Sequence, residues 1–332
     1  MGRKGITQSN GKTNSPNDPG RYDFMGLAKI FAIVSVVAVL GCLAIILTKG
    51  FVYGIDFAGG IEMRVKFDKP VDIGKIRDFT STMGYKGASV QTLGSENEYL
   101  VRLESVKGET EKETNNLINA LITKITSGFK TTFSTENPVV RSVDSVGPQI
   151  GNELKKNGLL AVLYSLLMIL VYVGLRFDYK FAPGAVFCLF HDAIITLGIY
   201  SIFGREVNIQ TMAAILTIIG YSLNDTIVTF DRIRENAERL KKMNFTKLVN
   251  RSINDVLSRT LLTSITTLIA VGAMYIFAGG VIKDFVFTLA IGVIVGTYSS
   301  IYVASPLVLV ADYFENKNKA KGNVGQYKAK KA

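Results

Sequence analysis

The stretch GYSLNDTIVTFDRIREN, residues 220–236, begins inside an apolar run and ends in a series of charges. The run that it closes, about residues 207–230, is near the roughly 20 residues that a helix needs to cross a lipid bilayer. Asp225 lies on the apolar side of this border. A carboxylate in the hydrocarbon region costs about 3 kcal/mol, so it usually faces protein, water or a partner. The stretch therefore predicts a membrane helix that carries an acid near its charged end.

Five further apolar runs of similar length accompany this one. They cover about residues 27–48, 158–175, 181–203, 260–278 and 285–310. Of the 332 residues, 48% are hydrophobic and 20% are charged, which is unusual for a soluble protein with a single core. The sequence therefore predicts an α-helical polytopic membrane protein with six transmembrane helices, the first at residues 27–48 and the other five within residues 156–310.

The basic residues are distributed unevenly between the predicted loops. Twenty Lys and Arg residues lie in the segments 1–30, 176–180, 231–258 and 311–332, whereas the short intervening loops hold only Arg205 and Lys283. Under the positive-inside rule, this bias puts both termini in the cytoplasm. The net charge of +11 is therefore mainly topological, with the lipid bilayer as a secondary partner and no nucleic acid expected. Residues 1–26 are predicted to be a disordered cytoplasmic N-terminus and residues 311–332 a basic cytoplasmic tail.

Between the first two membrane runs lies an insert of about 105 residues, which is long enough for a small domain. Its periodicity predicts strands at IEMRVKF, ASVQTL, EYLVRL and VVRSVDSV, and helices at VDIGKIRDFTSTM and ETEKETNNLINALITKI. The order βαββαβ is typical of a ferredoxin-like sandwich. We therefore expect residues 49–155 to form a small α+β domain on the periplasmic side, between helices 1 and 2.

Polar residues follow one side of the helix that contains Asp225. Ser222 and Thr229 share that side at helical spacing, and Asn224 is beside them. Arg259 starts the next membrane run, which crosses in the opposite direction, so we predict that Asp225 and Arg259 lie at similar depths and pair. Because burial disfavours a charged carboxylate and a nearby guanidinium favours it, a change in their distance would change protonation. A static ion pair, or an Arg259 side chain that only reaches to the interface, explains the same residues.

Two other groups of residues in the membrane runs invite a functional interpretation. His191 and Asp192 lie near the middle of the third run, where they would relay protons or form a buried hydrogen-bonded pair. Gly292, Gly296 and Ser300 are spaced by four residues and predict a small-residue face. That face would serve close packing within the bundle, or contact with a partner subunit.

The sequence contains no motif of a nucleotide, cofactor or metal site. The patterns GxxxxGKS/T, HExxH and CxxC are absent, and His191 is the only histidine. We therefore expect no enzyme activity, no cofactor and no metal ion, and we interpret Cys42 and Cys188 as small apolar residues in helices.

The segment GIDFAGG follows the first membrane run and is rich in glycine. Its residues of interest are Gly54, Asp56, Gly59 and Gly60. The glycines permit a tight turn, which alone would explain them, and a hinge is the second interpretation.

Six long blocks of sequence carry a resemblance to a known family. They are GIDFAGG (54–60), SVGPQIGNEL (145–154), HDAIITLG (191–198), GYSLNDTIVTFDRIREN (220–236), SRTLLTSITTL (258–268) and SIYVASPL (300–307). Together they resemble the SecF family of protein-export membrane subunits, part of the resistance-nodulation-division superfamily. The resemblance covers nearly all of residues 21–312.

The resemblance implies a function, an energy source and partners. It implies an accessory subunit of the Sec preprotein translocase that acts with SecD, near the SecYEG channel, to promote translocation of preproteins across the bacterial cytoplasmic (inner) membrane. The proton-motive force would supply the energy, with no cofactor. The family's essential membrane Asp falls on Asp225 and its functional Arg on Arg259, with Asn224, Ser222 and Thr229 beside them.

Two other functions agree with the same residues. One is a proton-coupled exporter of small molecules or lipids, although such pumps of the superfamily usually resemble a twelve-helix chain with two large external domains. The other is a non-conducting structural scaffold in which the charged pair is static. In every case, six helices with polar faces need a counterpart, and the resemblance implies that SecD supplies it.

Overall fold

The computed structural model describes residues 18–85, 87–93, 96–104, 106, 108–177, 181–277, 281–315 and 317. Its first half contains, in chain order, α1 (Ala28–Lys49), β1 (Val52–Tyr53), α2 (Ile55–Ala58), β2 (Gly60–Lys66), α3 (Ile73–Thr82), β3 (Ser89–Thr92), β4 (Glu98–Leu103), α4 (Glu111–Thr132) and β5 (Val139–Val146). Its second half contains α5 (Pro148–Arg176), α6 (Ala182–Ile202), β6 (Glu206–Val207), α7 (Ile209–Arg239), α8 (Phe245–Phe277), α9 (Val281–Ser299) and a π-helical turn (Ser300–Ala304).

Six helices of the described chain are long and apolar enough to cross a membrane, in agreement with the six that the sequence predicts. They are α1, α5, α6, α7, α8 and the helix that begins in α9, passes through the π-helical turn and reaches Glu315. Half of the most apolar window is buried in α6 and in α7, against 11% in α1 and in α5. The bundle is therefore built around α6 and α7, and the apolar outer surface of α1 and α5 is of the kind that faces lipid.

The membrane helices α5, α7 and α8 extend furthest beyond the apolar runs. α5 begins at Pro148, where the missing N–H of proline does no harm because the first turn of a helix has no internal partner for it. α7 continues to Arg239, and α8 already begins at Phe245. Ile233 and Leu248 are buried in these extensions, so apolar packing between the two helices continues past the charged border.

The insert between α1 and α5 contains a four-stranded antiparallel sheet in the order β3-β4-β2-β5. Alternate residues of β2 and β4, among them Ile61, Met63, Val65, Val101 and Leu103, are buried in a core shared with α3 and α4. Because side chains alternate between the two faces of a strand, only this face is apolar. Each strand and helix that the sequence predicts for the insert is present, although α4 continues to Thr132, beyond the predicted end of its helix at Ile125.

A second, two-stranded sheet joins the insert to the membrane helices. β1 follows α1, and β6 lies in the short connection between α6 and α7. The two strands pair in parallel, with Val52 opposite Glu206. Phe57, Tyr200 and Val207 form a small buried core beside them. The insert is thus attached to the α6–α7 connection as well as to its own two chain ends.

Residues 18–26 correct one prediction, because they are held against α8 rather than disordered. The side chain of Asn250 accepts the N–H of Met25 at 3.1 Å and donates to the carbonyl oxygens of Pro19 and Tyr22 at 2.8 Å each. Asn254 accepts the N–H of Tyr22 at 2.9 Å. These partners are more than 220 residues away in sequence, so local composition could not indicate them.

The two predicted flexible ends fall mostly outside the described residues. Residues 1–17 of the predicted N-terminus and residues 318–332 of the predicted basic tail lie outside the described residues. Residues 311–315 were predicted to belong to the tail but continue the last membrane helix. Ala311, Asp312 and Glu315 are half-buried there, whereas Tyr313 and Phe314 are exposed.

Replacing Gly60 by Ala should destabilise the four-stranded sheet more than replacing Gly84 by Ala. Both glycines have positive φ, +137° and +100°, which costs a residue with a β-carbon about 1 kcal/mol. A β-carbon at Gly60 would also lie 2.6 Å from the carbonyl oxygen of Leu103, whereas Gly84 has open space. Amide hydrogen exchange in β2 and β4 should therefore be faster in G60A than in G84A, and equal exchange would contradict the close approach of β2 to Leu103.

Candidate functional site

A buried carboxylate, Asp192 of α6, is at the centre of a polar cluster between the membrane helices. The residue has 0% exposed surface. His191 Nδ1 lies 2.9 Å from its Oδ1, and the hydroxyls of Ser222 and Ser299 donate to its Oδ2 at 2.5 and 2.8 Å. Because Ser222 belongs to α7 and Ser299 to α9, this one carboxylate links three membrane helices.

Ser299 and Cys188 are members of the cluster that the sequence did not indicate. The thiol of Cys188 donates to the hydroxyl oxygen of Ser299 at 3.1 Å, so its interpretation as a simple apolar residue is incomplete. Cys188 precedes Asp192 by four residues and therefore lies on the same helical face, a signal that was present in the sequence. Ser299 lies next to Ser300, one residue away from the small-residue face, and its role depends on how α9 rotates against α6.

Asp225 lies one turn beyond Ser222 on α7 and is buried, with 3% of its surface exposed. Its Oδ2 is buried without a hydrogen-bond partner among the described residues. The hydroxyl of Thr229 donates to the backbone carbonyl of Asp225 at 3.0 Å, not to its carboxylate, and Ser222 serves Asp192 instead. Asn224 is exposed on the outer side of α7. The residues predicted to support the carboxylate therefore leave it unsupported.

Arg259 does not form the predicted ion pair with Asp225. Within the described chain, no nitrogen–oxygen contact of 4.0 Å or less joins the two side chains, although the charge of Arg259 acts on Asp225 through space. Arg259 itself is exposed on α8. The structure therefore places the acid and the base near each other but apart.

The register of the antiparallel helices α7 and α8 explains this separation. Three side-chain contacts define the register: Arg232 with Asp255, Asn236 with Ser252, and Tyr221 with Thr267. In this register the residue opposite Asp225 is near Thr263. Arg259 is about four residues from that point, or roughly 6 Å along the helix axis at 1.5 Å per residue. The two residues are therefore offset by about one helical turn.

His191 connects the cluster to α1 through an aromatic side chain. Its ring stacks on Tyr298 of α9 with a centroid separation of 6.1 Å and an interplanar angle of 26°. The hydroxyl of Tyr298 lies 2.8 Å from that of Ser35 and donates to the carbonyl oxygen of Phe31 at 3.0 Å, both on α1. The Nε2 atom of His191 is buried with no hydrogen-bond partner in the described part of the chain.

The small-residue face of α9 lies inside the bundle. A β-carbon at Gly292 would meet the side chain of Ile218, and one at Gly296 would lie 3.0 Å from Cβ of Ser222. Ser300 is fully buried and donates to the carbonyl oxygen of Thr297. The face therefore lets α9 approach α7 at the level of the polar cluster, which is how Ser222 and Ser299 reach one carboxylate.

The GIDFAGG segment, which begins at Gly54, forms a turn at the N-terminal end of α7. Asp56 Oδ2 accepts the N–H of Ile209, the first residue of α7, at 3.0 Å. Gly59 and Gly60 then enter β2 with positive φ values of +74° and +137°. The tight turn that the sequence predicts is present, and it contacts the helix that carries Asp225.

The cluster consists of groups that bind and release protons. It contains two carboxylates and an imidazole, all buried. No three His, Cys, Asp or Glu side chains of the described ranges are arranged to hold a metal ion. The two carboxylates differ in their surroundings, because Asp192 has three hydrogen-bond partners and Asp225 Oδ2 has none. Asp225 is therefore the less supported of the two buried carboxylates.

Replacing Ser222 by Ala should destabilise the bundle more than replacing Thr217 by Ala. The Ser222 hydroxyl serves the buried carboxylate of Asp192, whereas Thr217 is exposed on the same helix and donates to its own backbone. Loss of one such hydrogen bond in a membrane protein costs about 1 kcal/mol. Equilibrium unfolding in mixed micelles should show this difference in the free energy of unfolding. Equal losses in the two variants would contradict the assigned hydrogen bond.

Comparison with known proteins gives the same result by family models and by individual relatives. The family described as "Protein export membrane protein SecD/SecF, C-terminal" matches residues 124–313, and the "SecD/SecF GG Motif" matches residues 44–71. The protein translocase subunit SecF of Calditerrivibrio nitroreducens is 44% identical over 288 residues, which cover 86% of this chain and 92% of that relative. The SecF subunit of Vibrio alginolyticus is 43% identical over 289 residues, 86% of this chain and 88% of the relative.

Two solved structures have the same fold over most of the chain. The crystal structure of SecDF from Thermus thermophilus, described as a translocon-associated membrane protein, superposes with a TM-score of 0.76 at 38% identity. It covers 88% of this chain and 39% of the SecDF chain. SecDF in a super-membrane-facing form superposes with a TM-score of 0.66 at 36% identity, covering 92% and 40%. The chain thus spans about two fifths of either SecDF molecule. With a family model over more than half of its length and relatives above 40% identity, the chain belongs to the SecF family of multi-pass protein-export membrane proteins.

Proposed function

We propose that the chain is an accessory subunit of the Sec preprotein translocase that acts with SecD and uses the proton-motive force to promote translocation. Its SecF relatives are named as translocase subunits, and the matched SecDF chains contain this fold as only part of a larger molecule. Asn224 and Arg259 are exposed on membrane helices, where lipid alone is an unfavourable neighbour for a polar side chain. A SecD bundle would supply the missing partner surface.

In this proposal the chain lies in the bacterial inner membrane with both termini in the cytoplasm. The Lys and Arg bias between the loops supports this orientation. The insert is then a ferredoxin-like domain on the outer side, which its βαββαβ order and the antiparallel strand order β3-β4-β2-β5 support. Preproteins leaving the SecYEG channel would be the cargo on which this domain acts.

The observation that carries the proposal is the buried, unpartnered carboxylate of Asp225. An ionised acid inside a membrane protein needs hydrogen bonds or an opposite charge close by. The positive charge of Arg259 acts on Asp225, but the two side chains are not in contact in this arrangement. Deprotonation would therefore favour a shift of α8 against α7 that closes this gap, and protonation would release it.

The energy available to such a shift is adequate. One elementary charge that crosses a potential of 100 mV releases about 2.3 kcal/mol. A conformational equilibrium with a difference of a few kcal/mol would therefore respond to one or two protons per cycle. The movement needs to be no larger than the axial offset between the two residues, about one helical turn or roughly 6 Å.

Asp192 and His191 would supply the next groups on the proton path. Ser222 lies one turn from Asp225 and donates to Asp192, so a hydroxyl stands between the two carboxylates. His191 Nε2 is buried without a partner in the described chain, so it is the next polar atom available to the path beyond Asp192. The relay predicted from the sequence is thus part of the proposal, with Ser222 as its connection to Asp225.

Replacing Asp225 by Asn should abolish the gradient-dependent part of preprotein release. The amide keeps the size of the side chain but removes the proton equilibrium on which the proposal depends. The measurement is preprotein release from vesicles that contain this chain with SecD and the channel, with and without a proton gradient. Release by D225N should be the same in both conditions and equal to the wild-type value without a gradient.

Asp231→Asn is the matched control on the same helix. Asp231 is a partly exposed acid beyond the apolar run, paired with Arg176 and Arg234, and its replacement should leave gradient-dependent release intact. Full gradient dependence in an assembled D225N complex would contradict the proton role and favour a structural scaffold. Gradient-driven efflux of a small molecule or lipid without preprotein would favour the exporter.

A further inference from the structure

The outer end of α7 is capped by two side chains from different parts of the chain. The amides of a first helical turn have no partner within the helix. Asn208, the N-cap residue, accepts the N–H of Thr211 at 2.9 Å. Asp56 of the GIDFAGG segment, more than 150 residues earlier, accepts the N–H of Ile209 at 3.0 Å. The negative charge of Asp56 also suits the positive end of the helix dipole.

The backbone around Asp56 is attached to the same place. Gly54 donates its N–H to the carbonyl oxygen of Val207 at 2.9 Å, next to the parallel pair of β1 and β6. A β-carbon at Gly54 would lie 3.2 Å from Cβ of Asn208, which shows how closely the two segments approach. Phe57 is buried against Val207 and Tyr200. Polar and apolar contacts therefore both hold this turn to the start of α7.

A third attachment lies on the open face of the four-stranded sheet. Arg102 of β4 forms ion pairs with Glu62 of β2, at 2.6 Å, and with Glu206 of β6. Gln91 of β3 donates to the other carboxylate oxygen of Glu206 at 3.2 Å. The side chains of Arg102, Glu62 and Glu206 are largely buried, with 8 to 19% exposed surface, so solvent screens their charges little. Strands β3 and β4 thus contact the connection that precedes α7 directly, and β2 is linked to it through Arg102.

The segment between Asp56 and the sheet is short and tightly packed. Only Phe57, Ala58 and Gly59 separate Asp56 from Gly60, the first residue of β2. Gly59 packs on Pro148 of α5, with a contact of 3.0 Å from its would-be β-carbon. Gly60 is pressed against the carbonyl oxygen of Leu103 in β4. Because of these two close contacts, Gly59 and Gly60 are tightly packed between neighbouring elements and do not form a flexible hinge.

We propose that Asp56 is the positioning residue that couples the sheet domain to α7, so that the GIDFAGG turn, β1, β6 and the first turn of α7 move as one rigid body. If α7 moves when the protonation of Asp225 changes, the sheet then moves with it, because no flexible hinge lies between them. This inference rests on the proposed function for what moves α7, but the attachment itself is independent of any gradient.

The attachment is tested by amide hydrogen exchange on the chain assembled with SecD, without a gradient. Asp56→Ala removes the acceptor at Ile209, and exchange in the first turn of α7 should rise about fivefold, as for loss of a capping side chain. Asp56→Asn keeps an acceptor oxygen and should restore most of the protection. The control is Asp144→Ala, an exposed acid on the same sheet, which should leave the turn unchanged. Equal exchange in D56A and D144A would overturn the assignment of Asp56.

The role in coupling is tested by gradient-dependent preprotein release from the same variants. D56A should assemble and keep its gradient-independent release but lose most of the gradient-dependent part, whereas D56N and D144A should retain it. Full gradient dependence in D56A would overturn the coupling role. Absence of gradient dependence in the wild type would instead refute the proposed function, and the exchange experiment would still decide whether Asp56 holds α7.

The rigid-body claim is tested by a reversible cross-link between β1 and β6. Tyr53 and Val207 are also direct partners in the parallel pair, so the double variant Tyr53→Cys, Val207→Cys puts two thiols on paired positions and leaves Glu206 in place. Oxidised and reduced forms of this one protein should release preprotein equally under a gradient, and each single variant controls for its substitution. If oxidation stops release and reduction restores it, the two strands must separate during the cycle and the proposal is wrong.

Discussion

A carboxylate enclosed by membrane helices must find its hydrogen bonds and its counter-charge inside the protein, because lipid supplies neither. The two buried carboxylates of the polar cluster differ in how far this requirement is met. Asp192 is satisfied by His191, Ser222 and Ser299 and thereby joins α6, α7 and α9. Asp225, one turn from Ser222, is buried with an oxygen that has no partner in the described chain. The first carboxylate stabilises one arrangement of helices, whereas in the proposed function the second makes that arrangement sensitive to a proton.

α7 is the element on which both effects depend, because it is a single continuous helix of 31 residues. Its outer end is capped by Asn208 and Asp56, and its inner end is tied to α8 by Arg232 and Asp255 at 2.7 Å. The inner contact sets a register in which Arg259 misses Asp225. A helix that is held at both ends and carries one unsatisfied acid between them is suited to transmit a small axial shift to the sheet domain.

Local patterns in the sequence were sufficient for the elements but not for their contacts. The six apolar runs and the alternation in segments such as IEMRVKF predicted the membrane helices and the strands, because burial follows those periods directly. Helical spacing also placed Ser222, Asp225 and Thr229 on one side of α7. It could not tell which neighbour each would meet, since the rotation and register of α8 and α9 are set by long-range packing. For that reason Ser222 was assigned to the wrong carboxylate, Ser299 was missed, and Asp225 was paired with Arg259. Residues 18–26 were predicted to be disordered for the same reason, because they are held by long-range hydrogen bonds to Asn250 and Asn254.

The central claim, that the proton on Asp225 controls the position of the sheet domain, is tested most directly by a distance measurement across the membrane. Spin labels on Asp144→Cys of the sheet and Lys241→Cys beyond the inner end of α7, both exposed, would report this distance in the complex with SecD. The account predicts a distance distribution that changes with pH in the otherwise wild-type chain and no longer changes when Asp225 is replaced by Asn. A distribution that is independent of pH in the wild type, or that changes equally in the Asn variant, would contradict it.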